Sequence, residues 1–387
     1  MNVLDAVLVV ALAAAAFGGW RLGFVTRATS WLGMAVGLLA AAWSLPWIVD
    51  RLQGAEQVRV LLTAVGILLA GASIGQLVGL VVGGRLRLVL SGTTVHPTDR
   101  VAGALAGVAG VVVGVWLVLP TMAEVPEWPA AQARGSWVAG VIDATLPDPP
   151  DAIGALGRVL GEDRFPRVFA ALQPAPDLGD PPPVSGLTPA VVDAVLPSVL
   201  RVEGRACANV QVGTGVVVAD GLVVTNAHVV AGEDSTTVER DDGARLEAAV
   251  VAFDPDRDLA VLAVAGLDRP SVELVDVALG TIGGVFGHPD GGALRVAPFE
   301  VARRVDATGT DIYDQRSTTR DVLIVSAALR PGDSGGPLVG PDGRVVGLAF
   351  AIAPDDPLVA YALSVDEVAA VLRAPLGAPV DTGACLR

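Results

Sequence analysis

The chain opens with four apolar runs set off by charged residues, at 6–20, 28–49, 60–84 and 101–123. The last three reach the roughly 20 residues needed to cross a bilayer core; the first, edged by Asp5, does so by running past Arg21. A cleaved signal peptide is the rival reading of the first run, but residues 1–5 carry no basic residue and another apolar run follows at once. Glycines recur four apart: Gly19 and Gly23, Gly33 and Gly37, Gly71 and Gly75, then Gly103, Gly107, Gly110 and Gly114. Small residues at this spacing let helix backbones approach in lipid, so residues 1–123 are expected to form a packed four-helix transmembrane anchor.

Beyond 123 the pattern breaks twice. Residues 124–187 are rich in proline and acid and end in Asp180-Pro181-Pro182-Pro183-Val184-Ser185-Gly186, which reads as a semi-rigid linker. Short helices are expected within it at 153–160, capped by Asp151, and at 163–172. Thr188-Pro189 looks like an N-cap and first helical position, opening a short helix to Leu196 and a third region, 188–387. From Ser198 onward short β-branched runs alternate with Gly, Asp and Pro. Those at 210–218, 222–225, 259–264, 321–325 and 344–350 predict an all-β barrel or sandwich.

Composition agrees with this division and narrows the function. Of 387 residues, 52% are hydrophobic, and the mean hydropathy of +0.59 exceeds that of soluble globular chains. The net charge of −15 is carried by the later segments: residues 1–120 hold seven Arg against four acids, whereas those after 190 hold 15 Arg against 28. An acidic domain without clustered cations excludes nucleic-acid binding. Arginines gather in the first and third interhelical loops, Arg21 and Arg27, then Arg85, Arg87 and Arg100. The positive-inside rule puts those loops in the cytoplasm and everything after residue 123 outside it. Since no acidic pair lies inside the runs, an anchor is expected rather than a carrier.

The chemistry is carried by two strings. Gly332-Asp333-Ser334-Gly335-Gly336-Pro337 holds a serine on a glycine-rich turn, and Thr225-Asn226-Ala227-His228-Val229-Val230 supplies a base about a hundred residues upstream. Serine is a poor nucleophile until a histidine takes its proton, and the histidine needs a carboxylate to hold its other nitrogen. Asp254, Asp256 and Asp258 compete for that role. Asp258 is favoured because it directly precedes the apolar run 259–262, while the other two suit the turn around Pro255. The amides of Gly332 and Ser334 are expected to form an oxyanion hole worth about 3 kcal/mol per donor. Three histidines, with His96 in a predicted cytoplasmic loop and His288 in a glycine-rich one, leave no zinc cluster, and neither metal nor cofactor is expected.

The order His228, Asp258, Ser334 resembles the chymotrypsin-like fold, in particular its HtrA-like branch. The resemblance covers roughly residues 190–375 through Gly213-Thr214-Gly215, Thr225 to Val230, Asp258 to Leu262, Gly332 to Leu338 and Gly343 to Gly347, with a weaker match at Tyr361 to Val368. It implies a double β-barrel with the site in the cleft, and a primary pocket based on Ala328 and walled by Phe350, Ala351 and Ile352. Such a pocket suits a small or medium apolar residue rather than Lys or Arg. A helical anchor similar to the colicin V production (CvpA) proteins, joined by a proline-rich spacer to such a protease, resembles the MarP-like membrane-anchored serine proteases of actinobacteria. That resemblance implies processing of envelope proteins in acid and oxidative stress, and the chain departs from typical HtrA proteins in lacking room for a PDZ module. Acid stress meets a difficulty: a base must be neutral to accept a proton, so plain triad chemistry slows in acid. A membrane scaffold, or a secretion or transport component with an accessory protease, is the rival reading.

Cys207 and Cys385 both fall in the segment expected outside the cytoplasm, where disulfides persist. A bond between them would close a loop of about 178 residues, worth at most about 5 kcal/mol; two free thiols are the alternative.

Overall fold

The computed structural model describes residues 2–49, 57–91, 97–124, 128–147, 168, 174–206 and 209–386. They fall into two compact units, Met1–Leu119 with Ser136–Pro149, and Pro120–Gly135 with Pro150–Arg387.

Four long helices dominate the first unit: α1 (Val3–Leu22), α2 (Phe24–Val49), α3 (Gln57–Ser91) and α4 (Pro97–Glu124). Each contains a stretch long and apolar enough to cross a membrane. The glycine spacing does what it predicts along the α2–α3 seam. A Cβ on Gly33 would lie 2.2 Å from the Gly75 carbonyl oxygen, and one on Gly37 would lie 2.1 Å from that of Gly71. Only glycine permits that approach. Gly110 instead faces the Trp31 ring, and Gly114 meets nothing within 4 Å.

Among the described residues of the region expected to be a spacer stand two helices, α5 (Trp128–Arg134) and α6 (Trp137–Thr145). The signal for α6 is present in the sequence: Ser136 caps it by accepting from the Ala139 amide. Asp5 of α1 then takes the Ser136 hydroxyl at 2.6 Å and the Val138 amide at 3.0 Å, so this buried carboxylate is satisfied by the start of α6. The helix expected at 153–160, and all of that expected at 163–172 except Val168, lie outside the described residues. Residues 174–187 run without regular structure along the second unit, where the Ala175 amide donates to Asp355 and Ser326 Oγ donates to the Gly179 carbonyl.

In the second unit, α7 (Pro189–Val195) is capped by Thr188 as the sequence predicts. Twelve antiparallel strands follow among the described residues. β1 (Val199–Ala206), β2 (Asn209–Ala219), β3 (Leu222–Thr225), β4 (Glu233–Glu239), β5 (Arg245–Asp254) and β6 (Leu259–Ala263) close a barrel in the order β1-β2-β3-β6-β5-β4. β7 (Ile282–Gly287), β8 (Arg295–Thr310), β9 (Ser317–Ser326), β10 (Pro337–Val339), β11 (Val345–Ala353) and β12 (Asp356–Ser364) close a second one as β10-β11-β12-β9-β8-β7. All five expected strands lie within β2, β3, β6, β9 and β11 or overlap them by all but one residue. Leu200 and Leu262 fill the first barrel, Phe299, Leu323 and Leu338 the second, each fully buried. Two short helices complete the unit, α8 (Ala227–Val230) between β3 and β4 and α9 (Val365–Leu372) after β12.

Candidate active site

β3 ends at Thr225, and the turn at Asn226 starts α8, which carries His228. The β5–β6 turn brings Asp258 against it. Asp254 caps that turn by accepting from the amides of Asp256 and Arg257, the role the sequence suggests for the carboxylates around Pro255. Asp258 is fully buried and holds φ at 57°, a left-handed conformation costing a non-glycine residue about 1 kcal/mol or more. Its surroundings fix it there. Asn226 Nδ2 donates to the Asp258 carbonyl at 2.9 Å, the His228 amide donates to Oδ1 at 2.9 Å, and His228 Nδ1 meets Oδ2 at 2.8 Å. An ionised carboxylate can only accept, so Nδ1 carries the proton and Nε2 is left as the basic nitrogen.

Ser334 sits between two glycines with positive φ, Gly332 at 94° and Gly335 at 79°. β2 and β11 grip this turn from both sides. The Thr214 amide donates to the Ser334 carbonyl at 2.8 Å, Thr214 Oγ1 donates to the Gly332 carbonyl at 2.8 Å, and the Gly335 amide donates to the Ala349 carbonyl at 2.8 Å. Gly213 joins the two halves: a Cβ there would fall 2.6 Å from Val229, beside His228, and 3.2 Å from the Ser334 carbonyl. Among the described residues, no protein acceptor engages the amides of Gly332 or Ser334, so both remain available to a ligand oxygen. Asp333 is turned inward, where its carboxylate accepts from Arg295 Nη2 and the Arg330 amide, each at 2.9 Å. Burial pushes its carboxyl above the usual range.

Beside Ser334 a small depression is lined by Leu329 and by Phe350, Ala351 and Ile352 of β11. Phe350, Ala351 and Ile352 are the residues expected as pocket walls. Ala328, expected at the base, is exposed and uses its carbonyl to hold Arg295, while the next residue, Leu329, turns inward. His288 plays a bracing part, its amide donating to Thr214 Oγ1 and its Nδ1 to the Gly292 carbonyl, and burial lowers its proton affinity. Cys385 lies against Gly232, with Sγ 3.7 Å from the Gly232 carbonyl oxygen, whereas His96 and Cys207 lie outside the described residues. Thr214, Arg295 and Arg320 also hold the site, through contacts that their neighbours in sequence do not announce. An uncharged strand residue and two of 26 arginines carry no local pattern that singles them out.

Comparison with known proteins agrees with this architecture. Residues 213–348 match the trypsin-like peptidase domain family, and residues 4–147 match the colicin V production protein family. The chain is 34% identical over 399 residues to the serine protease Rv3671c of Mycobacterium tuberculosis (strain ATCC 25618 / H37Rv), covering 98% of each protein. A probable periplasmic DegP-like serine endoprotease of Brucella suis biovar 1 (strain 1330) is 37% identical over 149 residues, 36% of this chain and 27% of that protein. The crystal structure of the Rv3671c protease in its active form superposes with a TM-score of 0.52 at 38% identity, covering 54% of this chain and 94% of that one. Membrane-type helices of the colicin V production kind and a two-barrel trypsin-like peptidase, aligned over nearly the whole of a mycobacterial serine protease, make this chain a member of the MarP-like family of membrane serine proteases.

Proposed function

We propose that the protein is an extracytoplasmic serine endopeptidase held at the membrane by residues 1–123 through a connector at 124–187, with 188–387 as its catalytic domain. The observation that carries this reading is the doubly bonded Asp258–His228 pair, set across Gly213 from Ser334, whose own amide and that of Gly332 meet no protein acceptor among the described residues. In that arrangement His228 Nε2 takes the Ser334 hydroxyl proton as Oγ attacks a peptide carbonyl, and the oxyanion is received by the amides of Gly332 and Ser334. The proton then passes to the departing amine, and water releases the acyl group by the same steps in reverse order. Leu329, Phe350, Ala351 and Ile352 give the primary pocket an apolar character that fits a small or medium apolar side chain. Labelling the full-length protein with a fluorophosphonate tests this: the wild type is expected to label and Ser334→Ala not. Equal labelling of both, or none of either, rejects the protease reading and returns the scaffold reading.

A role for this enzyme in acid and oxidative stress is supported by two features. Burial pushes Glu233 up to about 7, with only the Thr236 hydroxyl opposing the shift. A folded-state value above the unfolded one means that stability is fully present below about 4.5 and is lost as pH rises through about 7, so this group favours the fold in acid. Glu233→Gln is expected to be more stable than the wild type by about 1–3 kcal/mol at pH 8 and equal to it near pH 4, as read by chemical denaturation. A difference independent of pH would remove Glu233 from the account. The second feature is the seat of the chain's end. The Gly232 amide donates to the Thr382 carbonyl, Cys385 lies on Gly232, and Ala206 pairs with Glu233 next door. That placement supports a Cys207–Cys385 disulfide, and peptide mapping of the unreduced protein is expected to recover the two cysteines as one linked pair; separate thiols would refute it.

A further inference from the structure

Arg320 is among the largest fully buried side chains of the molecule, at 1% exposure. It lies on β9 of the second barrel, yet its Nε donates to the Asp256 carbonyl at 2.7 Å, in the turn of the first barrel that ends at Asp258. Its Nη2 donates to the Thr310 carbonyl at 2.8 Å, and Thr318, also on β9, adds a bond of 3.0 Å to the same Asp256 oxygen. Two donors from the barrel that carries Ser334 thus clamp a carbonyl two residues before Asp258. Neither guanidinium bond goes to a carboxylate, so the charge acts through space. The acids that feel it are Asp258, Glu367, Asp254 and Asp256. Three of these have cations of their own: Arg257 pairs with Asp254 and Glu367, each at 3.0 Å, and Arg316 pairs with Asp256 at 2.8 Å. The Asp258 carboxylate, fully buried, faces the His228 ring and amide.

A buried guanidinium is costly to desolvate and burial does lower its proton affinity, but arginine retains its charge in such sites. We propose that Arg320 is a positioning residue, which bolts the strained Asp258 turn to the nucleophile's barrel and supplies the positive field behind the His228–Asp258 pair. The proposal rests on the triad reading above. Its two parts have separate signatures. Loss of the bolt misplaces Asp258 and lowers kcat, whereas loss of the charge makes the protonated form of the pair easier to reach and moves the acid limb of the pH profile upward.

The test uses full-length protein in detergent with a peptide substrate bearing an apolar residue before the scissile bond, assayed from pH 4 to 9. Arg320→Gln is expected to lower kcat by about 10- to 100-fold with KM within about twofold, and to shift the acid limb upward by about half a pH unit or more. Arg320→Lys keeps the cation but not the forked bonds, so it is expected to retain the wild-type limb with a reduced kcat. An Arg320→Gln profile that superimposes on the wild type, or an Arg320→Lys limb displaced as far as that of Arg320→Gln, overturns the proposal. If Arg320→Gln does not fold, Arg320→Lys decides alone: an unmoved limb supports the field, and a displaced one rejects it. Ser334→Ala run alongside separates the two readings, since activity surviving there condemns the triad itself and not Arg320.

Discussion

Asp258→Asn is expected to lower kcat by about 10⁴-fold while leaving the melting temperature nearly unchanged. The geometry explains why so small a change is so costly. Oδ1 must go on accepting the His228 amide, because that bond opens α8. The introduced NH₂ is then pressed against Nδ1, where only an acceptor can face it, and the imidazole is driven into the tautomer with its proton on Nε2. Such a histidine cannot take a proton from Ser334. Steady-state kinetics on a peptide substrate give the size of the effect, and fluorophosphonate labelling should slow in parallel. A loss of less than about tenfold would falsify the assignment of Asp258 as the orienting acid.

Gly335→Ala is expected to be more damaging to the protein as a whole. A methyl group there would stand 2.0 Å from the Thr214 carbonyl oxygen and 2.5 Å from Thr225 Oγ1, with φ at 79°. Neither obstacle can yield cheaply. The Thr214 carbonyl already accepts from Thr225 Oγ1, and Thr214 holds the nucleophile turn through its amide and its hydroxyl. Retaining the fold requires the turn to back out of β2, which removes Ser334 from His228. We expect activity to vanish and unfolding free energy to drop by more than about 3 kcal/mol, the range reserved for strain and overpacking inside a core. Denaturant titration of the full chain, beside Ser334→Ala as an inactive but unstrained control, separates the two effects. Wild-type stability in Gly335→Ala would show that the close approach to β2 is not obligatory.

How much of this was legible in the sequence depends on the range of the interaction. The membrane helices announce themselves by length and hydrophobicity, and the α2–α3 seam by glycine spacing, because both are local periodicities. β2, β3, β6, β9 and β11 are runs of β-branched residues that any reading finds. β4 and β8 are not: Glu233–Glu239 is largely polar, and Arg295–Thr310 carries Pro298 and alternating charges, so barrel closure rather than propensity makes them strands. His228, Asp258 and Ser334 could be singled out because their immediate neighbours form recognisable strings. Thr214 and Arg320 act on carbonyls far away in the chain, and nothing beside them in sequence records it. That Leu329 rather than Ala328 lines the depression beside Ser334 has the same origin, since the two differ in which way a loop turns.

Closure of both sheets has a consequence for an enzyme that handles other chains in extended form. An open sheet presents a row of unpaired amides and carbonyls to any strand that passes, and a protease meeting partly unfolded substrates would risk being recruited into their aggregates. Here β1 pairs with β4 and β7 with β10, so neither sheet ends in a free edge. Neither barrel therefore offers a visiting strand a row of open backbone groups to extend.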